Sequence, residues 1–195
     1  MYYIGIDIGL SGAIGVLDGK GEFVGVHDMP TMANFGGMKK VKNQVNASRL
    51  ATILLSYGYA KAVIVEDVGS RPGEGVASVF SFGDSYGQIK GMLGVMQCPY
   101  QLVKPNIWKP ALGLTKQKGE TKQQNKERAR AEAIRCWPTA PLELKKHEGR
   151  AEALLLAKYL LLTATQGYTP VLSRNRPRSK KTEPNPIQPH SSVTA

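Results

Sequence analysis

The first 29 residues constrain the fold most, because they contain three strand-like segments joined by very short turns. In residues 2–8, Ile4 and Ile6 lie on one face of an alternating pattern, which predicts a strand. The sequence AIGVLD (13–18) predicts a second strand, and EFVGVHDM (22–29) predicts a third. Two hairpins in succession predict an antiparallel three-stranded start to a sheet.

The chain up to residue 168 continues with two further strands and several helices. The apolar run AKAVIVE (60–66) is typical of a buried parallel strand, and YQLVK (100–104) predicts a fifth strand. Residues 30–43 are rich in Gly, Lys and Asn and predict a loop. Helices are predicted over about 47–57 (capped by Asn46 or Ser48), 76–94, 105–112 and 122–135, and from Gly149 or Arg150 to Thr165. We therefore expect an α/β fold in which helices flank one five-stranded mixed sheet whose first three strands are antiparallel.

Positive charge is unevenly distributed along the 195 residues, whose formal net charge is +11. Residues 104–135 contain nine Lys and Arg against three Glu, and residues 171–195 contain five against one. A localised basic stripe favours a polyanionic partner, of which nucleic acid is the commonest, although charge for solubility is the alternative. The second stretch belongs to a segment rich in Pro, Ser, Lys and Arg, which predicts a domain over 1–168 and a disordered basic tail over 169–195.

Several classes of protein are disfavoured. No apolar run reaches the roughly 18 residues that span a bilayer, so we expect no membrane partner. The N-terminus lacks the features of a signal peptide, which predicts a cytoplasmic protein. The two cysteines, Cys98 and Cys136, have neither a disulfide-framework pattern nor the spacing of a zinc site.

Asp7 is an unusual residue for a strand, because an unpaired buried charge is costly. A helix N-terminus, a salt bridge, a phosphate-facing loop or a metal ion would compensate it. Gly9, Gly12 and Gly15 follow it, but their spacing is not the dinucleotide-binding fingerprint, which also requires a helix where a hairpin is predicted. They are similar to the phosphate loop of actin-like ATPases, a fold that needs two copies of this unit. We therefore interpret them as a tight turn that lets backbones approach closely.

Three further acids stand out beside Asp7. Glu66 ends the fourth strand, and Glu148 and Glu152 are spaced to share one face of the last helix if that helix includes both. If the first and fourth strands are neighbours, Asp7 and Glu66 converge. If the last helix brings Glu148 and Glu152 to the same place, these hard oxygen ligands suit two Mg²⁺ or Mn²⁺ ions that hydrolyse a phosphodiester. Each acid also has an ordinary interpretation as a turn cap, a polar strand end or a solvated side chain. His147 is either a base or ligand, or an incidental surface histidine.

Three motifs together resemble one family. The chain resembles the RuvC-type Holliday junction resolvases, particularly their phage-encoded branch, within the ribonuclease H-like superfamily. The motifs that carry this resemblance are IGIDIGLSGAIGVLD, VIVEDV and HEGRAEALLLAKY. The resemblance implies that Asp7, Glu66, Glu148 and Glu152 hold two Mg²⁺ ions, with Mn²⁺ as a substitute and no organic cofactor. It also implies a homodimer that cuts four-way DNA junctions by paired nicks. The final pair departs from the family's usual aspartates spaced three apart, which leaves open whether Glu148 is a ligand.

The resemblance also assigns DNA contacts. Lys109 and Lys126 match the family's phosphate-binding lysines, and Arg71 matches a contact near the strand-exchange point. Further basic residues on the loop and helix that flank the cleft are expected to bind phosphates: Lys104, Lys118, Lys122 and Arg128. Trp108 either stacks on a base or packs in the core. The alternatives to junction resolution are a ribonuclease H-like nuclease acting on forks, flaps or RNA–DNA hybrids, and a non-catalytic protein that binds branched DNA.

Overall fold

The structure is a computed structural model with a five-stranded sheet, a separate two-stranded hairpin and helices on both faces of the larger sheet. It describes residues 1–33, 43–58, 62–67, 69, 73 and 75–165. The strands are β1 (Tyr2–Asp7), β2 (Ala13–Asp18), β3 (Phe23–Asp28), β4 (Thr31–Ala33), β5 (Asn43–Val45), β6 (Ala62–Glu66) and β7 (Tyr100–Val103). The helices are α1 (Ala47–Ser56), α2 (Val76–Val95), α3 (Pro105–Ala111), α4 (Lys122–Cys136) and α5 (Glu148–Thr165).

The five-stranded sheet has the order β3-β2-β1-β6-β7. β1 pairs antiparallel with β2, and β2 pairs antiparallel with β3, as the two predicted hairpins require. β6 lies parallel to β1, and β7 lies parallel to β6. The prediction of a mixed five-stranded sheet with an antiparallel start is therefore confirmed, and the first and fourth strands of this sheet are neighbours.

Alternation along the strands divides the core into two layers. On one face, Ile4 and Ile6 belong to a buried cluster with residues of α1 and α2. On the other face, Tyr3 and Ile64 belong to a buried cluster with residues of α3, α4 and α5. Because side chains alternate along a strand, the last residues of β1 and of β6 lie on the face that α5 covers.

Helix α5 lies unusually close to the sheet, at two glycines that pair across β1 and β2. Gly5 and Gly15 are direct partners in the register of these strands. A Cβ on Gly5 would lie 2.1 Å from the carbonyl oxygen of Ala153, and a Cβ on Gly15 would lie 2.5 Å from the amide nitrogen of Leu154. Only glycine permits this approach, so the two glycines determine where the first half of α5 lies.

Two parts of the chain differ from the sequence-based expectation. The sequence predicts a loop over residues 30–43, but β4 lies within this range, β5 begins at its last residue, and the two strands pair as an antiparallel hairpin. Three-residue strands are too short to show an alternating pattern, which explains the difference. Helix α5 begins at Glu148, one or two residues earlier than the predicted start at Gly149 or Arg150, directly after a 3₁₀ turn over Lys145–His147. α1 takes Asn46 as its cap, because the Asn46 side chain accepts a hydrogen bond of 2.9 Å from the Arg49 amide.

Two expectations cannot be placed on the structure. Arg71 and the tail predicted from residue 169 onward both lie outside the described residues. Within the part of the chain that the structure describes, no helix is long and apolar enough to cross a membrane.

Candidate metal and nucleic-acid site

Asp7 and Glu66 end adjacent parallel strands. The register pairs Ile6 with Val65, so the acid that follows each of them lies at the same edge of the sheet and on the α5 face. Glu66 is buried, with 6% of its surface exposed. The backbone amide of Gly9 donates a long hydrogen bond of 3.5 Å to Asp7 Oδ1. The predicted convergence of these two carboxylates therefore follows from strand pairing alone.

Helix α5 places Glu152 above the same edge. Its first turn lies against the loop after β1, since a Cβ on Gly149 would be 2.5 Å from the carbonyl oxygen of Ser11. The electrostatics show that the acids are close together. The pKa of Asp7 is raised to about 7, first by burial and then by the negative charges of Glu152 and Glu66. Three of the four predicted carboxylates therefore share one site.

Glu148 lies beside this group, on the side of α4. It accepts hydrogen bonds from Lys126 Nζ at 2.6 Å and from Gln123 Nε2 at 2.9 Å. Burial raises the pKa of Glu148, but these two hydrogen bonds outweigh burial and leave the pKa below its usual value. The pKa of Lys126 is raised mainly by its bond to Glu148, with smaller effects from Glu152 and Asp7, so this ammonium group lies within reach of the acidic group.

Helix α3 contributes two consecutive side chains to the site. Trp108 Nε1 donates a hydrogen bond of 3.0 Å to Glu66 Oε1, and Lys109 Nζ donates one of 2.8 Å to Glu152 Oε1. Trp108 is fully buried, so the structure agrees with the interpretation that it packs in the core rather than stacking on a base. Its ring also lies 5.1 Å from Lys109 Nζ, a cation–π distance. α3 therefore orients two of the acids.

The donor chemistry of this group fits Mg²⁺, which prefers carboxylate oxygens. The arrangement of the side chains is not that of a finished site: among the described residues, no three His, Cys, Asp or Glu side chains are positioned to hold a metal ion. The contacts explain why. Oxygens of Glu66, Glu148 and Glu152 already accept hydrogen bonds from Trp108 and from two lysines. The residues present are therefore suitable ligands, provided that some of these bonds are exchanged.

The remaining predicted DNA-contacting residues fall into two groups. Arg128 has an internal partner for each of its three guanidinium nitrogens: Glu120, the carbonyl oxygen of Gly113 and that of Thr115, at 2.7–3.2 Å. The structure thus gives Arg128 a role in holding the loop before α4, and its contact with DNA stays a prediction. Three further lysines of the predicted set are exposed: Lys104, Lys118 and Lys122.

The start of α5 is held by an ion pair that the sequence does not predict. Arg150 donates two parallel hydrogen bonds to Asp28, of 2.6 Å and 2.7 Å, which tie the helix to the end of β3. The two residues are 122 positions apart, so no local pattern could have paired them. His147 is buried, and its Nδ1 accepts a hydrogen bond from the Leu144 amide. Burial, followed by the charges of nearby basic residues, lowers the pKa of His147.

Comparison with known proteins identifies the fold. No protein-family model matches the chain, and no curated protein matches it. Among solved structures, T. thermophilus RuvC in complex with a Holliday junction substrate is similar, with 17% identity and a TM-score of 0.56 over 88% of this chain and 99% of that chain. A second Thermus thermophilus RuvC structure has 19% identity and a TM-score of 0.47 over 88% and 100% of the respective chains. The first of these likenesses shows that the chain has the ribonuclease H-like fold expected from its sequence.

Proposed function

We propose that this chain is a structure-selective DNA endonuclease that resolves four-way junctions and other branched DNA. The observation that carries the proposal is the group formed by Asp7 and Glu66, at the ends of two parallel strands, and by Glu152 on α5, bordered by Lys109 and Lys126. Acidic ligands next to basic side chains suit a polyanionic substrate cut with the help of cations. The fold likeness to a protein solved with a Holliday junction adds support.

The proposed site holds two Mg²⁺ ions, which Mn²⁺ can replace, through the three converging carboxylates, with Glu148 as a fourth ligand. When bound, these ions would activate a water and stabilise the leaving oxygen, so that hydrolysis leaves a 5′-phosphate and a 3′-hydroxyl. The protein's own part is to hold the acids in register through β1, β6 and α5. Lys109 and Lys126 lie on the border of the group, where a DNA backbone passing the acids would meet them.

A homodimer completes the proposal, with α2 as its contact. Phe80 is 68% exposed on this helix. Gly83, Gly87 and Gly91 continue the same side of α2, and a Cβ on any of them would meet nothing within 4 Å. Small residues allow two helices to approach closely, so we propose that a second copy packs here around a two-fold axis. Such a dimer presents two acidic groups to a junction that is itself two-fold symmetric, which suits paired nicks.

The biological setting is part of the proposal. The motif resemblance favours a phage-encoded enzyme that acts in the host cytoplasm and removes branches from DNA before packaging. The basic tail would add nonspecific DNA contacts. A chain truncated at Tyr168 tests this role, since a lower junction affinity is expected and an unchanged affinity would exclude it.

The function is tested by incubating the full chain with a mobile four-way junction and Mg²⁺. We expect symmetric paired cuts that are lost in Asp7→Asn, whereas junction binding remains. Glu143→Gln removes an equal charge from an exposed side chain and serves as the control that keeps cutting. Binding without cleavage in either Mg²⁺ or Mn²⁺ would instead indicate a non-catalytic binding protein. Faster cutting of a fork, flap or RNA–DNA hybrid would indicate the other class of nuclease.

A further inference from the structure

Two lysines neutralise two acids of the proposed metal site. Lys109 Nζ lies 2.8 Å from Glu152 Oε1, and Lys126 Nζ lies 2.6 Å from Glu148 Oε2. The lysine side chains are 20% and 38% exposed, and their partners 13% and 18%. Because solvent screens such partly covered pairs less than fully exposed ones, both interactions hold the acids in place.

The same carboxylates are needed for a divalent cation. A metal ion bound by Glu152 and Glu148 adds positive charge beside each ammonium group, so it weakens the pair that the lysine makes. Lys126 is affected by more than its own partner, since the charges of Asp7 and Glu152 also act on it. Metal binding and lysine binding at these acids are therefore competing equilibria.

Lysine is suited to such an exchange. Its ammonium group is a compact charge on a flexible stem with several rotatable bonds, so it can leave a carboxylate without movement of the helix. Both lysines lie on the helices α3 and α4 that border the acids. Once the two lysines leave Glu152 and Glu148, the phosphates of a bound DNA strand would be the nearest anions with which they can pair.

We propose that Lys109 and Lys126 are exchangeable counter-ions, which pair with Glu152 and Glu148 until divalent cations bind and then transfer to DNA phosphates. This inference rests on the proposed function, because it concerns the same site. It makes metal binding and DNA binding mutually reinforcing: the metal frees two phosphate-binding groups, and DNA removes two competitors of the metal. If the lysines instead served only as permanent supports for the acids, their removal would weaken metal binding.

The two alternatives predict opposite changes in metal affinity when a lysine is removed, so they can be tested without DNA or catalysis. Mn²⁺ affinity is measured on the full chain by electron paramagnetic resonance and calorimetry, for the wild type, Lys109→Met and Lys126→Met. We expect roughly three- to tenfold tighter binding in each variant, the value of a partly exposed ion pair of about 1 kcal/mol. Lys145→Met is the matched control: this lysine is 81% exposed and lies 3.9 Å from Glu127, so its removal should change the affinity by less than about 1.5-fold.

The outcomes separate the two proposals. Unchanged or weaker Mn²⁺ binding in Lys109→Met and Lys126→Met would overturn the exchange while leaving a metal-dependent nuclease intact. A wild type that binds no Mn²⁺ and cuts no junction would overturn the proposed function as well. If a variant is less stable, the Mn²⁺-induced rise in its melting temperature still reports affinity, because a ligand of the folded state stabilises it by RT ln(1 + [L]/Kd), which grows as Kd falls. That rise should be larger than in the wild type, and an equal or smaller rise contradicts the exchange.

A second measurement tests whether the two lysines contact DNA phosphates when a divalent cation is bound. Junction affinity is measured against salt concentration with Ca²⁺, as a hard cation, and with a chelator. Each new lysine–phosphate contact steepens the slope of log affinity against log salt by about 0.9, so with Ca²⁺ the slope should be steeper by about 1.8 for each acidic group, or about 3.6 for a dimer that uses both groups on one junction. Equal slopes under the two conditions would refute the transfer of the lysines to phosphate.

Discussion

Replacing Gly5 by alanine tests the close approach of α5 to the sheet. The added Cβ would lie 2.1 Å from the carbonyl oxygen of Ala153, whereas ordinary contacts begin at 3.4 Å. It would also lie 2.6 Å from the amide nitrogen of Ala157 and 2.8 Å from Leu156 Cβ. Because the opposing atoms include backbone, no rotamer change relieves the overlap, and the helix must retreat by about 1 Å.

The cost is set by this retreat. Overpacking a close-packed core typically costs 1–3 kcal/mol. Because the added Cβ on the β1 backbone would meet backbone atoms of α5, we expect Gly5→Ala to lie at the upper end of this range, about 3 kcal/mol. For a domain of this size, that loss lowers the melting temperature by roughly 6–12 °C. The shift also carries Glu152 away from the neighbouring acids, so Mn²⁺ affinity should fall together with stability.

Circular dichroism melting of matched variants measures the effect. Gly19→Ala is the control, because a Cβ at this turn residue would meet nothing within 4 Å and the melting temperature should stay within about 2 °C of wild type. Gly15→Ala should resemble Gly5→Ala, since both would push against the same backbone near Ala153 and Leu154. The double variant should lose less than the sum, as a helix already displaced accommodates the second methyl group. A Gly5→Ala protein with the same melting temperature as the Gly19→Ala control would refute the reasoning.

Three further substitutions test other features. Trp108→Phe removes a hydrogen bond to the buried Glu66, so the free energy of unfolding should fall by about 1–3 kcal/mol in urea titrations, and a loss under 0.5 kcal/mol would count against it. Gly87→Arg should convert the proposed dimer to monomer in analytical ultracentrifugation; a persistent dimer would exclude this face of α2. The hydrogen bond from Arg135 lowers the pKa of Glu132 from 4.5 to about 2, so its stabilisation is complete above pH 4.5 and is lost toward pH 2. Glu132→Gln should therefore melt lower above pH 4.5 and equally near pH 2, whereas a pH-independent difference would contradict this.

Local patterns predicted the sheet well, for physical reasons that are visible in the structure. Alternation in β1 and the continuous apolar run of β6 follow directly from which faces are covered, so their positions could be inferred. Once β1 and β6 were taken as neighbours, the convergence of Asp7 and Glu66 followed from the alternation of side chains between the two faces of a strand. Glycines close to Asp7 indicated a close backbone approach, although the partner of Gly15 proved to be α5.

Contacts between distant parts of the chain could not be predicted in this way. Lys109 and Glu152 are 43 residues apart, and their pairing depends on where α3 is placed relative to α5. The engagement of Arg128 with the loop before its own helix has no periodic signal, because it uses two backbone carbonyls. Composition indicated a basic stripe over residues 104–135, yet composition could not separate lysines that pair with acids from those exposed to solvent.

The position of α5 on β1 and β2 has a consequence for synthesis. The two strands are made before the helix that covers them, which is about 140 residues further along the chain. At the usual 5–20 residues per second, the ribosome needs roughly 7–28 seconds to bridge that interval. During this time the hairpin has an uncovered apolar face, on which Tyr3 and Leu17 are later buried. Chains released before α5 is complete should therefore aggregate, and the full chain should depend on holding chaperones while it is being made.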